Sequence, residues 1–83
     1  MMRFDFTSLR LSRHATQRNK TRRISLDAIE RVVRSGEWLP NEKAEWEALG
    51  TSEGQTIKVV FAQDSKVKDG IYVVTLFVEG KRE

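Results

Sequence analysis

The sequence predicts a small α+β domain, with a short N-terminal strand and two helices packed on one face of an antiparallel sheet of three or four strands. Residues 26–36 carry apolar side chains at helical spacing, whereas "TIKVVFA" and "IYVVTLFV" are rich in β-branched residues. The helical segments precede the later strands instead of alternating with them, which is typical of the α+β class. Eighty-three residues suit one domain, 1–83, and the polar tail 79–83 is expected to fray.

The chain begins with a strand pattern and then a helix of unusual composition. "RFDFTSLRL" alternates Phe4 and Phe6 with polar residues, as a short edge strand does. Ser12 is a suitable N-cap for a helix from about Arg13 to Thr21. Ala15 is the one apolar residue of that helix, although helices in proteins gain most of their stability by burying an apolar face. We therefore expect polar contacts to hold it, or a shallow position on the domain.

The rest of the chain follows more conventional patterns. Ser25 is the predicted N-cap of a second helix, Asp27 suits its first turn, and Gly36 is the predicted C-cap. "EKAEWEAL" is compatible with a helix or a strand, and the turn "GTSEGQ" that follows favours a strand. The last two strands form a predicted antiparallel hairpin around "QDSKVKDG".

Positive charge is concentrated in the first third of the chain. Residues 1–26 contain seven basic side chains and one acidic one, whereas residues 27–83 contain eight basic and eleven acidic side chains. The formal net charge of the whole chain is +3. This asymmetry favours an anionic partner for the first third, with nucleic acid as the first candidate. The alternative is a solvated basic face that pairs with the acidic remainder of the domain.

Composition also narrows the possible classes of site and location. The chain has no cysteine and one histidine, so we expect no disulfide framework, no metal site and no cofactor. Its apolar segments are far shorter than the roughly 20 residues of a membrane-spanning helix. The first residues do not read as a signal peptide, because charged residues interrupt them. A cytoplasmic protein with no membrane partner is the expectation.

The stretch "SRHATQRNKTRRIS" contains the chain's one histidine and no acidic residue. Helical spacing places His14, Arg18 and Arg22 on one side of the first helix. An imidazole that transfers a proton and a guanidinium that binds phosphate are the minimum for metal-independent RNA cleavage by the ribose 2′-hydroxyl. A structural His14–Arg18 pair that ties the helix to the sheet is the alternative. The candidate nucleic-acid-binding residues are Arg13, Arg18, Lys20, Arg22 and Arg23.

The chain from about Leu9 to Phe77 resembles a family of small uncharacterised domains. Their pattern reads Ser-x-His-Ala-x-x-Arg, then Arg-Gly-Ile-Ser, a helix, and a late strand that ends with two apolar residues and a threonine. That family is in turn similar to the BrnT and RelE-type toxins, many of which are ribonucleases silenced by a cognate antitoxin. Here Arg23 stands in place of the usual glycine, and the first helix lacks the usual apolar residue near Asn19.

The resemblance implies a RelE/BrnT-like fold and places functional residues at His14 and Arg18, with Thr75 on the facing strand. Two interpretations follow. The first is a toxin-like, metal-independent ribonuclease with His14, Arg18 and Thr75 as catalytic residues, RNA as substrate and an antitoxin protein as partner. The second is a non-catalytic module that binds nucleic acid or an acidic protein, in which His14 is structural.

Overall fold

The structure is a computed structural model that describes residues 6–22, 24–43, 45–52 and 54–79. Two helices follow a short first strand, and four further strands complete the described chain. The elements in chain order are β1 (Ser8–Leu11), α1 (Arg13–Arg22), α2 (Leu26–Ser35), β2 (Glu37–Pro40), β3 (Trp46–Ser52), β4 (Gln55–Gln63) and β5 (Gly70–Glu79). The predicted α+β class and the two helices are confirmed; the frayed tail at 79–83 lies, beyond Glu79, outside the described residues.

The sheet differs from the predicted one in strand number and in direction. It has five strands in the order β1-β5-β4-β3-β2 and is mixed, because β1 pairs in parallel with β5 while every other pair is antiparallel. The predicted antiparallel sheet of three or four strands is therefore wrong. The additional strand, β2, is the short segment "EWLP" after α2, whose Trp38 pairs with Ala48 of β3. A four-residue edge strand that ends in proline carries a weak sequence signal.

Both helices contribute to a core that lies on one face of the sheet. Helix α2 buries Ile29, Val32 and Val33, and α1 buries Ala15, against the inward-facing residues of the strands. Trp38 is 1% exposed, and its indole N–H donates to the Val33 carbonyl at 2.7 Å. This bond satisfies the polar atom of a large buried aromatic residue, as buried tryptophans require. We call the opposite face of the sheet, which no described helix covers, the open face.

A β-bulge shifts the register between β4 and β5. Val60 pairs with Thr75 but Phe61 pairs with Val73, so Val74 is an extra residue in β5. A bulge reverses the in–out alternation of a strand beyond it. The buried positions of β5 accordingly change from Ile71 and Val73 before the bulge to Leu76 after it.

Ser12 lies between β1 and α1, caps the N-terminus of the helix and attaches it to β5. Its backbone N–H continues the pairing with β5 by donating to the Val73 carbonyl at 2.9 Å. Its hydroxyl donates to the Val74 carbonyl at 2.6 Å and accepts the Ala15 N–H at 3.0 Å. The predicted N-caps Ser12 and Ser25 are both confirmed, since Ser25 accepts the Ala28 N–H at 3.0 Å. Gly36 is the C-cap of α2 as predicted.

None of the described helices is both long enough and apolar enough to span a lipid bilayer.

The two caps differ in a way that mutagenesis can measure. Ser12→Ala removes a cap and a buried bond to β5, whereas Ser25→Ala removes an exposed cap alone. We expect losses of about 2–3 kcal/mol for Ser12→Ala and about 1 kcal/mol for Ser25→Ala in the free energy of unfolding. Urea denaturation of both variants measures the difference. Equal losses would show that the Ser12–Val74 bond contributes nothing.

Candidate nucleic-acid interface

Helix α1 has a narrow buried side and a broad basic side. Ala15 is fully buried against the sheet, and successive helical residues are about 100° apart. This spacing places Arg18 and His14 on one flank of the buried side, and Arg13 and Lys20 on the outward side. Arg13, His14 and Lys20 are exposed and Arg18 is half-buried. Of the sequence-predicted basic residues, Arg18 therefore lies on the flank toward β5, and Arg13 and Lys20 lie on the outward side.

Arg18 fixes the far end of α1 to the edge of β5. Its Nε donates to the Leu76 carbonyl at 2.8 Å, and its guanidinium carbon lies 4.7 Å from the centre of the Phe77 ring. On the side of β5 that faces β1, no described strand continues beyond Leu11, so Ser12 and Arg18 take the place of strand partners at the Val74 and Leu76 carbonyls. The hydrogen bond and the ring contact thereby restrain the guanidinium, whose two terminal nitrogens carry its four other N–H donors.

His14 is exposed on the flank that also carries Arg18. No hydrogen bond joins its imidazole to any residue within the described ranges. The attachment of α1 to the sheet comes from Ser12 and Arg18, and the imidazole faces solvent. An exposed imidazole one turn from a fixed guanidinium can exchange protons with a bound molecule.

Thr75 lies on the open face of the sheet, beside the bulge. Its hydroxyl oxygen is buried and has no hydrogen-bond partner in the described part of the chain. The structure therefore brings Arg18 close to the end of β5 but forms no bond between Thr75 and His14. A buried hydroxyl without a partner costs free energy and calls for an explanation, since such groups are uncommon in folded proteins.

The basic side chains of α1 differ from three of the seven described cations outside the helix. Arg10, Arg34 and Lys58 each lie within 4.0 Å of a carboxylate oxygen. No described carboxylate lies within that distance of Arg13, Arg18 or Lys20. The charge of α1 is therefore not neutralised by the described residues. The other predicted nucleic-acid-binding residues, Arg23 and the side chain of Arg22, lie outside what the structure describes.

A groove of about 520 Å³ lies on the open face. Val60, Val74, Thr75 and Phe77 form its floor. Phe77 is the link to α1, because Arg18 lies over its ring. The volume falls within the range of small-molecule sites, which is about 300–1,000 Å³. The groove was not predicted from the sequence. The alternation of Thr75 and Phe77 along one strand was the available sequence signal, and it covers two of the four floor residues.

The rim of the groove comes from the β2–β3 connection and from β3. Asn41 organises this connection by accepting the backbone N–H groups of Lys43 and Glu45 at 2.9 and 3.0 Å. Its side-chain amide also donates to Oε1 of Glu45 at 3.3 Å. Glu47 lies 4.0 Å from the ammonium of Lys58. Asn41, Glu42, Lys43, Glu45 and Glu47 line the groove.

An ion pair between an exposed arginine and a buried aspartate holds β1 to the start of the β4–β5 connection. Arg10 donates to the Asp64 carboxylate at 2.8 and 3.2 Å, and Asp64 also accepts the Lys66 N–H at 2.9 Å. These bonds lower the pKa of Asp64 from 3.8 to about 2, and the bond to Asp64 raises the pKa of Arg10. The Arg10 guanidinium also lies 4.9 Å from the ring centre of Tyr72. Both side chains therefore take part in holding β1 to the sheet.

The described residues of α1 and of the groove do not form a recognisable metal-binding site. Within residues 6–22, 24–43, 45–52 and 54–79, no group of three histidine, cysteine, aspartate or glutamate residues is placed to hold a metal ion.

The comparison with known proteins gives one match. A family model described as "Domain of unknown function (DUF4258)" matches residues 11–78, which is most of the chain. No curated protein and no solved structure matches.

The Arg10–Asp64 pair predicts a defined dependence of stability on pH. Because the folded pKa of Asp64 lies below its ordinary value of 3.8, its contribution is complete above about pH 4 and is lost as the pH falls toward about 2. Urea midpoints of wild type and Asp64→Asn should therefore differ at pH 7 and converge at pH 2. Asp69→Asn, at an exposed left-handed position, is the control and should not alter the midpoint at pH 7. A difference that is constant with pH would contradict this assignment.

Proposed function

Because the chain belongs to the DUF4258 family, whose description assigns no activity, we propose its function from the geometry: a metal-independent ribonuclease that binds RNA through α1. The observation that carries the proposal is the surface of α1, where Arg13, Arg18 and Lys20 have no described carboxylate partner and share the helix with an exposed His14. Cations that no described carboxylate neutralises provide the electrostatic attraction on which phosphate-backbone binding depends.

The proposed reaction uses the ribose 2′-hydroxyl as nucleophile. The imidazole of His14 takes the 2′-hydroxyl proton while the 2′-oxygen forms a bond to phosphorus. The bond from phosphorus to the 5′-oxygen breaks, and solvent supplies the proton to that oxygen. The products are a 2′,3′-cyclic phosphate and a 5′-hydroxyl. The terminal nitrogens of Arg18 stabilise the charge that develops on the phosphate. Thr75, the third catalytic residue that the resemblance implies, has a hydroxyl without a described partner and in this proposal orients the imidazole.

The resemblance to BrnT and RelE-type toxins supports the same assignment. The Ser-x-His-Ala-x-x-Arg pattern is that of the uncharacterised domains that resemble these toxins; of its residues, Ser12, Ala15 and Arg18 attach α1 to the sheet and His14 stays exposed. Under this proposal, the domain is a toxin-like ribonuclease, and its partner is an acidic antitoxin that covers the basic side of α1. This relation remains part of the proposal, as does the RelE/BrnT-like fold.

A second candidate is an RNA-binding module without catalysis. It is favoured by the use of Arg18 in the fold, since its Nε already donates to the Leu76 carbonyl and its guanidinium lies over the Phe77 ring. General acid–base catalysis also commonly employs more than one proton-transfer group, whereas α1 offers a single imidazole. The two candidates predict the same RNA affinity and differ in turnover.

Cleavage by purified protein in excess EDTA distinguishes the two candidates. We expect wild type to cleave single-stranded RNA and His14→Ala to be at least about 100-fold slower, which is the lower limit of a general acid–base contribution. Because His14 is exposed, its replacement should change stability by less than about 0.5 kcal/mol. Lys68→Ala, at an exposed site in the β4–β5 connection, should cleave like wild type. Equal cleavage by His14→Ala and wild type would exclude the proposed role of His14.

The salt dependence of RNA binding tests the interface separately from catalysis. Replacing Arg13 and Lys20 together by alanine should reduce the slope of log affinity against log salt by about 1.4, at about 0.7 for each single-strand phosphate contact. The double variant Lys66→Ala/Lys68→Ala removes the same charge from another exposed site and should retain the wild-type slope. Fluorescence anisotropy of a labelled RNA measures both. The same reduction in the two double variants would show that net charge, and not α1, governs binding.

A further inference from the structure

The groove on the open face is continuous with α1 through one contact. The Arg18 side chain extends from α1, donates a hydrogen bond to the Leu76 carbonyl and lies over the Phe77 ring. That ring is part of the groove floor. A strand whose phosphate contacts Arg18 is therefore within reach of the groove with the adjacent nucleotide. Unstacked bases of RNA are commonly bound in this way, with their flat faces against aromatic or apolar side chains.

The charges around the groove favour an uncharged occupant over a charged one. Glu42, Glu45 and Glu47 line it together with Lys43, and the Lys58 ammonium lies 4.0 Å from Glu47 and 5.3 Å from the Phe77 ring centre. The formal charges of these three carboxylates and two ammonium groups nearly cancel. A phosphate would meet three carboxylates here, and a basic peptide would meet two lysines. A nucleobase meets an apolar floor and a rim that carries both carboxylate acceptors and ammonium donors.

Glu45 is the acceptor that the structure orients best. The Asn41 side chain donates to Oε1 of Glu45 at 3.3 Å and accepts the Glu45 backbone N–H at 3.0 Å. Asn41 therefore holds both the backbone and the carboxylate of Glu45. The Glu47 carboxylate, in contrast, already has the Lys58 ammonium as a partner. A carboxylate accepts two parallel hydrogen bonds best from a planar pair of N–H donors. Among the RNA bases, the Watson–Crick edge of guanine offers such a pair, from N1 and the exocyclic N2.

The floor contains a further polar group without a partner. The hydroxyl of Thr75 is buried and makes no hydrogen bond with described residues, although Thr75 lines the groove. Rotation about its χ1 angle to present the hydroxyl to an occupant therefore breaks no hydrogen bond with those residues. The groove thus offers a second hydrogen-bonding group opposite the rim.

We propose that this groove binds a guanine base of the RNA strand, with the base against Val60, Val74 and Phe77 and its N1 and N2 donors on the carboxylate of Glu45. The proposal rests on the proposed RNA-binding function of α1, and it adds a base preference to it. Cleavage and binding should accordingly favour strands with guanine next to the phosphate that contacts Arg18.

Uncharged nucleosides test the groove without involving the phosphate contacts of α1. In isotope-labelled protein, guanosine should shift the methyl resonances of Val60 and Val74 in a saturable manner. N1-methylguanosine lacks the N1 donor and should bind at least tenfold more weakly, and uridine should bind more weakly still. Equal shifts with guanosine and N1-methylguanosine, or no shift with guanosine, would overturn the proposal.

Matched variants separate this proposal from the proposed function. Glu45→Gln, which keeps an acceptor for Asn41 but loses the carboxylate, should weaken guanosine binding at least tenfold. Glu37→Gln removes the same charge from an exposed position of β2 outside the groove and should bind guanosine like wild type. Arg13→Ala/Lys20→Ala should weaken RNA binding and leave guanosine binding unchanged. Guanosine binding without any RNA binding would support the groove and overturn the function of α1. Equal weakening by Glu45→Gln and Glu37→Gln would overturn the groove.

Discussion

Helix α1 is held to the sheet by two polar side chains, and the rest of the candidate interface depends on this attachment. Ser12 and Arg18 donate to the Val74 and Leu76 carbonyls, which lie on the edge of β5 beyond the end of β1. The helix has little else to bury, because Ala15 is its one apolar residue. Since the attachment uses one flank, the remaining circumference is left to basic and polar side chains. A helix held by an apolar stripe would have had fewer positions for charge.

The same edge connects the basic helix to the open face. The bulge at Val74 reverses the alternation of β5, so that Leu76 enters the core while Thr75 and Phe77 line the groove. Arg18 then lies at the boundary between the two surfaces, with its Nε bonded to the Leu76 carbonyl and its guanidinium carbon over the Phe77 ring. Bulges are common next to functional sites because they redirect side chains. Phosphate binding and base binding are thus proposed for two adjacent surfaces that share one arginine.

Sequence patterns predicted the local structure here better than the long-range structure. The caps Ser12 and Ser25 could be recognised because capping depends on residues three or four positions apart. The unusual composition of α1 also predicted its polar attachment. The parallel pairing of β1 with β5 could not be predicted, because it joins segments about sixty residues apart and has no local signal. The bulge lies within the uniform run "IYVVTLFV", so the placement of Thr75 and Phe77 on the open face required the structure.

The central claim is that RNA binds along α1 and the adjacent end of β5. Its most direct test is a titration of isotope-labelled protein with a short single-stranded RNA in EDTA at low salt, followed through the backbone amide resonances. The account predicts that the largest shifts fall between Arg13 and Lys20 and at Leu76 and Phe77. Shifts centred on α2 or β2, or no shifts at concentrations that saturate non-specific binding, would contradict it.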